Sequence, residues 1–339
     1  MNTSLLYNNM KPFPKNGNSI GVDKLVFDLP YSISLDNKLK LTNKILNVSD
    51  DTGTVNYSTG KLANNNNIEV RVYKNYIRFT LNPVMEIYGS NFYTLRKEEL
   101  RNYLLELQEK SEINLFNGAI RRLDLQTTAR MSHNPASYFE VLGKHKHLMK
   151  STPFKDTLYY NSISKYKTLL FYNKSKKERK NKPIKFKDGE YLRYEAQYHN
   201  KFLKEIAKKL GKKTLTLQDL FDDKIYNKLI QYWYNDYKEI YKEQKTMFIP
   251  NNINKPSDID KLLASEGIKS IGNVEETCKM IDAALADTNK NASFISKVKS
   301  RVKSIADNEK AIMETPFLEE LESKITQAFK NTTNSFIKP

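Results

Sequence analysis

The chain has 339 residues, room for one large or two ordinary domains at about 100–200 residues each. Its 39% apolar content, with 16 Phe and 21 Tyr, excludes disorder throughout, and no run reaches the ~18–20 apolar residues of a membrane span. A formal net charge of +17 selects polyanions as partners, because each Lys or Arg that meets a phosphate releases condensed counterions.

The polar, Asn-rich leader (residues 1–19) lacks the apolar core of a signal peptide, and Cys278, the only cysteine, has no partner for an internal disulfide. Both fit a cytoplasmic protein. The charge is unevenly placed. Residues 255–339 hold 13 basic and 13 acidic side chains, so the whole surplus lies before them. Between Lys165 and Lys213 there are 17 basic against 5 acidic residues, interleaved with Tyr166, Phe171, Tyr172, Phe186, Tyr191, Tyr194 and Tyr198. Basic groups that track a backbone and aromatic faces that stack on bases suit single-stranded nucleic acid, although Phe and Tyr in β-rich segments are more often core. An AT-rich genome also yields Lys- and Asn-rich surfaces.

In chain order, residues 22–29 predict a strand stopped by Pro30, and 67–73 with 75–81 predict a hairpin turning near Lys74. Residues 94–108 predict a helix capped by Thr94, with Leu100, Tyr103, Leu104 and Leu107 on one face. A strand over 118–127 follows, then a helix from Asn134 through Leu142, paired strands at 157–160 and 167–172, and a strand over 190–198. Residues 201–247 read as helical, with breaks at Gly211 and a second helix over 217–241. Residues 248–257 are the best linker, and 258–339 read as a helical C-terminal region. The expected fold class is therefore α+β: a catalytic domain over 20–200 with a central antiparallel sheet, a helical extension over 201–247, the linker and the C-terminal helices.

Alternate strand residues share a face, so Arg122-x-Asp124-x-Gln126 sets a carboxylate between two hydrogen-bonding side chains, and Arg193-x-Glu195-x-Gln197 does the same. If the strands are neighbours, the two carboxylates converge as oxygen ligands for Mg²⁺ or Mn²⁺. The same pattern fits two Arg/acid ladders on a wet sheet face. Tyr172 ends a strand beside lysines that favour a phenolate, which makes it a candidate nucleophile, with Tyr159, Tyr160 and Tyr166 as rivals.

The order of these signals resembles the replication initiators of filamentous phages (the gene II/gene X family) and, more distantly, the tyrosine initiators of small rolling-circle plasmids. The residues that carry it are an opening strand from Gly21 to Phe27, Arg122-Leu-Asp124, Thr157-Leu-Tyr-Tyr160 leading to Tyr172-Asn-Lys174 and Glu178, and the closing Leu192-Arg-Tyr-Glu195. The resemblance spans about residues 20–247. It implies an HUH/Rep-like fold in which Tyr172 nicks one DNA strand, leaving a 5′-phosphotyrosine link and a free 3′-hydroxyl, and the strand is later rejoined. It further implies that Asp124 and Glu195 hold the metal, with Asp23 and Glu178 as further candidates, and that Lys174 contacts the phosphate. Arg122, Arg193, Lys165, Lys167, Lys176, Lys177 and Arg179 would line the DNA path. Implied partners are single-stranded or locally melted origin DNA and a host helicase or polymerase, with no membrane. The His-hydrophobe-His motif of the wider superfamily is absent: His145-Lys-His147 has Lys in the middle. His133 and His199 lie near the acidic strands. The alternatives are a non-catalytic DNA-binding initiator or regulator, and a metal nuclease that uses water.

Overall fold

The computed structural model describes residues 18–32, 41–48, 55–62, 65–164, 166–177, 188–242, 274–285, 291–307 and 316–334, with 35, 38, 39, 186, 264, 267 and 268 as isolated positions. Contacts divide it into two units, 1–243 with 317–339, and 244–316. The leader, the linker at 248–257, Lys165, Glu178 and Arg179 lie outside the described residues.

The first unit is built on a ten-stranded antiparallel sheet. Its strands are β1 (Gly21–Pro30), β2 (Leu41–Val48), β3 (Val55–Leu62), β4 (Asn65–Val72), β5 (Tyr76–Leu81), β6 (Ala119–Met131), β8 (Met149–Phe154), β9 (Thr157–Asn161), β10 (Lys167–Asn173) and β11 (Glu190–His199). Their spatial order is β2-β3-β4-β5-β1-β6-β11-β10-β9-β8. Strands β7 (Leu142–His145) and β12 (Ile240–Lys242) form a separate pair. The helices of this unit are α1 (Pro83–Tyr88), α2 (Lys97–Ser111), α3 (Lys174–Lys177), α4 (Asn200–Lys209), α5 (Asp223–Lys238) and α8 (Pro316–Asn334). The second unit contains α6 (Val274–Leu285) and α7 (Ala292–Asp307). The fold class is α+β with a large antiparallel sheet, as the strand alternation predicts.

The sheet's two faces differ because side chains alternate along every strand. One face carries Leu123, Leu125, Leu169, Phe171, Leu192, Tyr194, Ala196 and Tyr198, all fully buried. Trp233 of α5 lies against Tyr194 with ring centroids 4.5 Å apart, Phe171 stacks on Tyr194 at the same separation, and Tyr194 Oη donates to the Trp233 carbonyl at 3.1 Å. Leu203 and Ile206 of α4 and Leu321, Ile325 and Ala328 of α8 join this core. Of the helices in the C-terminal region, α8 belongs to the first unit, where Thr332 Oγ1 accepts from Ile20 N at 2.8 Å and Glu320 from Ser132 N at 2.9 Å.

Local differences from the sequence pattern have local causes. The helix expected to start after a Thr94 cap begins at Lys97, because Leu95 is fully buried and its carbonyl accepts from Val22 N, which holds the chain extended. Glu99 then caps it, accepting from Arg96 N at 2.9 Å and from Arg96 Nη2 at 3.1 Å. The helix expected over 134–142 is a 3₁₀ turn (Pro135–Phe139) followed by β7, in which Tyr138, Phe139, Val141 and Leu142 are all buried. The long helix expected from 217 starts at Asp223, where Asp222 caps it by accepting from Ile225 N at 3.0 Å, after a 3₁₀ turn over Gln218–Phe221.

Candidate active site

The second face of the sheet is polar where β1, β6, β11 and β10 meet. Strands β6 and β11 are neighbours, with Thr128 opposite Arg193, Gln126 opposite Glu195 and Asp124 opposite Gln197. Strand β10 places Tyr172 opposite Arg193 and Leu170 opposite Glu195. Cross-strand partners point to the same side, so Arg122, Asp124, Gln126, Arg193, Glu195, Gln197 and Tyr172 share one face. In β1 the register shifts between Val22 and Lys24, and the extra residue, Asp23, is turned onto that face, where it accepts from Arg193 Nη1 at 3.3 Å.

This face is buried. Asp124, Gln126, Arg193, Glu195, Tyr172 and Lys174 each expose 6% of their surface or less. The cover is the segment before α2. Gly21 makes its approach feasible, since a Cβ there would meet the Leu95 carbonyl oxygen at 2.2 Å. Gln126 Nε2 donates to the Tyr93 carbonyl at 3.1 Å, Arg193 Nη2 donates to the Asn91 carbonyl, and Lys174 Nζ donates to Asn91 Oδ1 at 2.6 Å. Neither Asn91 nor Thr128, which accepts from Arg193 Nε at 2.9 Å, carries a signal in the sequence, because each acts through fold geometry.

The electrostatics are those of crowded acids held by two arginines. Arg122 donates to both Asp124 oxygens at 2.7 Å, and Gln197 donates to Glu195 Oε1 at 2.8 Å. Burial pushes the Asp124 carboxyl up to about 7, against the Arg122 hydrogen bonds and with the charges of Glu195 and Asp23 adding to it. Burial, and then the Asp23 charge, also raises Glu195. Burial drives the Tyr172 phenol well above the ordinary tyrosine range, opposed by Arg193, which hydrogen-bonds it, and reinforced by Glu195 and Asp23. The lysine effect expected from the sequence is therefore outweighed, although Lys177 Nζ lies 4.3 Å from the Tyr172 ring centroid and Lys174 Nζ 5.9 Å. The proton on Tyr172 needs an acceptor at the moment of attack.

Other expected positions fall elsewhere. Lys167 points to the opposite, helix-covered face, where its ammonium pairs with Asp236. It is not brought to the site. Lys176 is exposed and pairs with Asp156 at 2.5 Å. Of the rival tyrosines, Tyr160 is buried on the helix face with its hydroxyl on the Gly143 carbonyl at 2.8 Å, and Tyr166 bonds Glu205. Tyr159 is opposite Leu170 and shares the Tyr172 face. His133 rests edge-on against Phe317, and His199 is opposite Arg122 at the end of β11.

Asp23, Asp124 and Glu195 offer hard oxygen donors, the class that suits Mg²⁺ or Mn²⁺, and their mutual repulsion in a buried setting favours a divalent cation. They stand further apart than a closed shell, with Arg122 on Asp124 and Arg193 on Asp23. Among the described residues the one group of three with ligand atoms within 4.8 Å of one another is His145, Asp236 and Glu239. It lies on the other side of the sheet, since Asp236 Oδ2 accepts from Tyr198 at 2.9 Å and its other oxygen pairs with Lys167. His145 Nδ1 accepts from His147 N at 3.0 Å, so the neutral ring carries its proton on Nε2, which faces Glu239 at 3.8 Å. His145 is buried, and burial lowers its pKa to about 4.

A buried neutral histidine has a stability consequence. The folded state binds fewer protons than the unfolded one between pH 6.5 and about 4, so this group withdraws stability as pH falls through that window. At about 1.4 kcal/mol per unit the loss approaches ~3 kcal/mol. Urea unfolding from pH 7 to 4 is expected to show a shallower decline in His145→Gln than in wild type. Parallel declines would place the acid sensitivity in other groups.

No family model matches the chain, and no curated protein matches it. Among solved structures, a rolling circle replication initiator protein from Geobacillus stearothermophilus aligns over 69% of this chain and 89% of its own, at 15% identity and a TM-score of 0.35. At that TM-score the likeness assigns no residue and no activity to this chain. Among the described residues no helix is long and apolar enough to cross a membrane.

Proposed function

We propose that this protein is a rolling-circle DNA replication initiator that nicks and rejoins one strand through Tyr172. The observation that carries the reading is the register of β10, β11, β6 and β1, which gathers a tyrosine, two arginines and three carboxylates on one buried sheet face. A wet Arg/acid ladder has no reason to be covered or to include a buried tyrosine.

Tyr172 Oη attacks the scissile phosphorus, a new P–O bond forms to the phenol oxygen, and the bond to the 3′-oxygen breaks. Arg193 holds the developing phenolate, and Lys174 and Lys177 offset the phosphate charge. The phenol proton passes to a carboxylate of the cluster and then to the departing 3′-oxygen, leaving a free 3′-hydroxyl and a 5′-phosphotyrosine link. A bound Mg²⁺ or Mn²⁺, held by Asp124, Glu195 and Asp23 with Arg122 displaced from Asp124, would polarise the phosphoryl oxygens. Access to Tyr172 requires the segment around Asn91 to be displaced by the incoming strand. The reverse reaction rejoins the strand. The basic first 254 residues supply the general attraction for DNA. A host helicase or polymerase would act on the freed end.

The test is incubation of the purified chain with Mn²⁺ and labelled single-stranded DNA from its own replicon's origin, followed by denaturing electrophoresis. A labelled protein band supports the reading. Cleaved DNA without protein attached would instead indicate a water-using nuclease, and binding without cleavage a non-catalytic initiator.

A further inference from the structure

Beyond β6 the polar face continues across β1, β5, β4 and β3 as a half-exposed basic and aromatic surface that, Arg122 apart, the nicking chemistry does not use. Its first part is a cleft of about 480 Å³ lined by Asp28, Tyr76, Arg78, Arg121, Arg122 and His199, among others. A register shift between Val26 and Phe27 brings both Arg121 and Arg122 to this side. Arg78 and Arg121 both donate to the single carboxylate of Asp28, at 2.7 Å from each Nε, so the group keeps a net positive charge and unused N–H donors. The three arginine side chains remain between 26% and 30% exposed.

The second part is a ladder of rings. Tyr57 of β3, Tyr73 and Tyr76 at the β4–β5 turn follow one another with centroids 5.0 and 4.5 Å apart. Arg71 lies over Tyr57 at 5.6 Å, and Arg78 over Tyr73 and Tyr76 at 5.7 and 5.3 Å. Arg71 is opposite both Thr59 and Arg78 in register, which fixes ladder and cleft on one face. The other side of these strands is apolar and buried: Ile68, Val70, Ile77, Phe79 and Leu81. The tyrosines are thus not needed to fill that core.

We infer that this wing is a track for single-stranded DNA leaving the nicking site, with Arg122, Arg121 and Arg78 taking phosphates and the tyrosine ladder taking bases. The inference rests on the proposed nicking reading for what occupies Tyr172, but the track itself is a binding surface. Strands lie about 4.8 Å apart, so the wing from β6 to β3 extends about 19 Å, the reach of several nucleotides. Guanidiniums alone would suit a duplex equally. The aromatic ladder favours unpaired bases, whose faces are free to stack.

The test measures binding in a Tyr172→Phe background, which separates the track from nicking. Fluorescence anisotropy of labelled dT20 is compared with that of a 20-base-pair duplex, for the parent and for Tyr73→Ala/Tyr76→Ala and Arg71→Gln/Arg78→Gln. Loss of stacking at one or two bases is expected to weaken dT20 binding at least about tenfold, with duplex binding little changed. The arginine variant is expected to lower the slope of log K against log salt by ~0.7 through the lost Arg78 phosphate contact. To keep the test independent of how the variants fold, photocrosslinking of bromodeoxyuridine-substituted dT20 to the parent is read in parallel, with peptides containing Tyr57, Tyr73 or Tyr76 as the expected products. Unchanged dT20 affinity in folded variants, equal loss for the duplex in the tyrosine variant, or crosslinks confined to other strands would each overturn the track. None of these results depends on whether an adduct forms with wild type.

Discussion

Tyr172→Phe is expected to abolish the covalent protein–DNA band, with residual cleavage at least about a thousandfold below wild type, while leaving affinity for origin DNA within a few-fold. The size follows from the chemistry: phenylalanine cannot form the phosphate ester, and the rival tyrosines are either bonded elsewhere or one strand away from Arg193. Tyr160 and Tyr166 are held by Gly143 and Glu205, away from the acids. Tyr159 shares the face, so Tyr159→Phe is the control, and it is expected to retain the adduct. The aromatic ring is kept in both variants, so packing around Leu170 and Lys177 changes little. An adduct that survives Tyr172→Phe and disappears with Tyr159→Phe would move the nucleophile one strand outward. An adduct with neither residue involved would remove this face from the reaction.

The sheet was legible because its central strands alternate cleanly. Leu123 and Leu125 against Arg122, Asp124 and Gln126 specify both a strand and its two faces, and the same holds for Leu192 to Tyr198. That β6 and β11 are adjacent, however, is a long-range pairing that no local pattern encodes. Strand β2 carries no signal because residues 41–48 have almost no buried side, and β3 carries little because two of its three buried positions are Ser58 and Gly60, which are not apolar markers. The acids of the site were legible as residue types on a face. Their burial was not, because it depends on the Asn91 to Leu95 segment crossing Gly21, and the sequence there shows only a helix start. For the same reason the lysines beside Tyr172 suggested an easily formed phenolate, whereas desolvation dominates and raises it. The Arg78, Arg121 and Tyr73 to Tyr76 surface was missed because its members come from separate strands and two of its arginines depend on a register shift.

Glu195→Gln is expected to separate function from stability. The carboxylate is 6% exposed, is raised by burial and by Asp23, and accepts one hydrogen bond from Gln197. Such a group lowers the stability of the metal-free fold as pH rises. The unfolded state releases the proton near pH 4.5 while the folded state retains it longer, so folded protein binds more protons across that window and stability declines through it. Glutamine has no proton to lose. Without metal, the unfolding midpoint of Glu195→Gln relative to wild type should therefore be higher at pH 8 than at pH 5. Adduct formation with Mn²⁺ should fall about a hundredfold or more, because the oxygen donor or proton acceptor for the phosphate is gone. Added Mn²⁺ should raise the wild-type midpoint more than that of the variant. If Glu195→Gln instead lost stability equally at all pH values and kept its adduct, the carboxylate would be a hydrogen-bonding partner of Gln197 and no part of the reaction. A functional centre has the opposite signature, since it holds like charges together at a cost to the fold that only its cation or its substrate offsets.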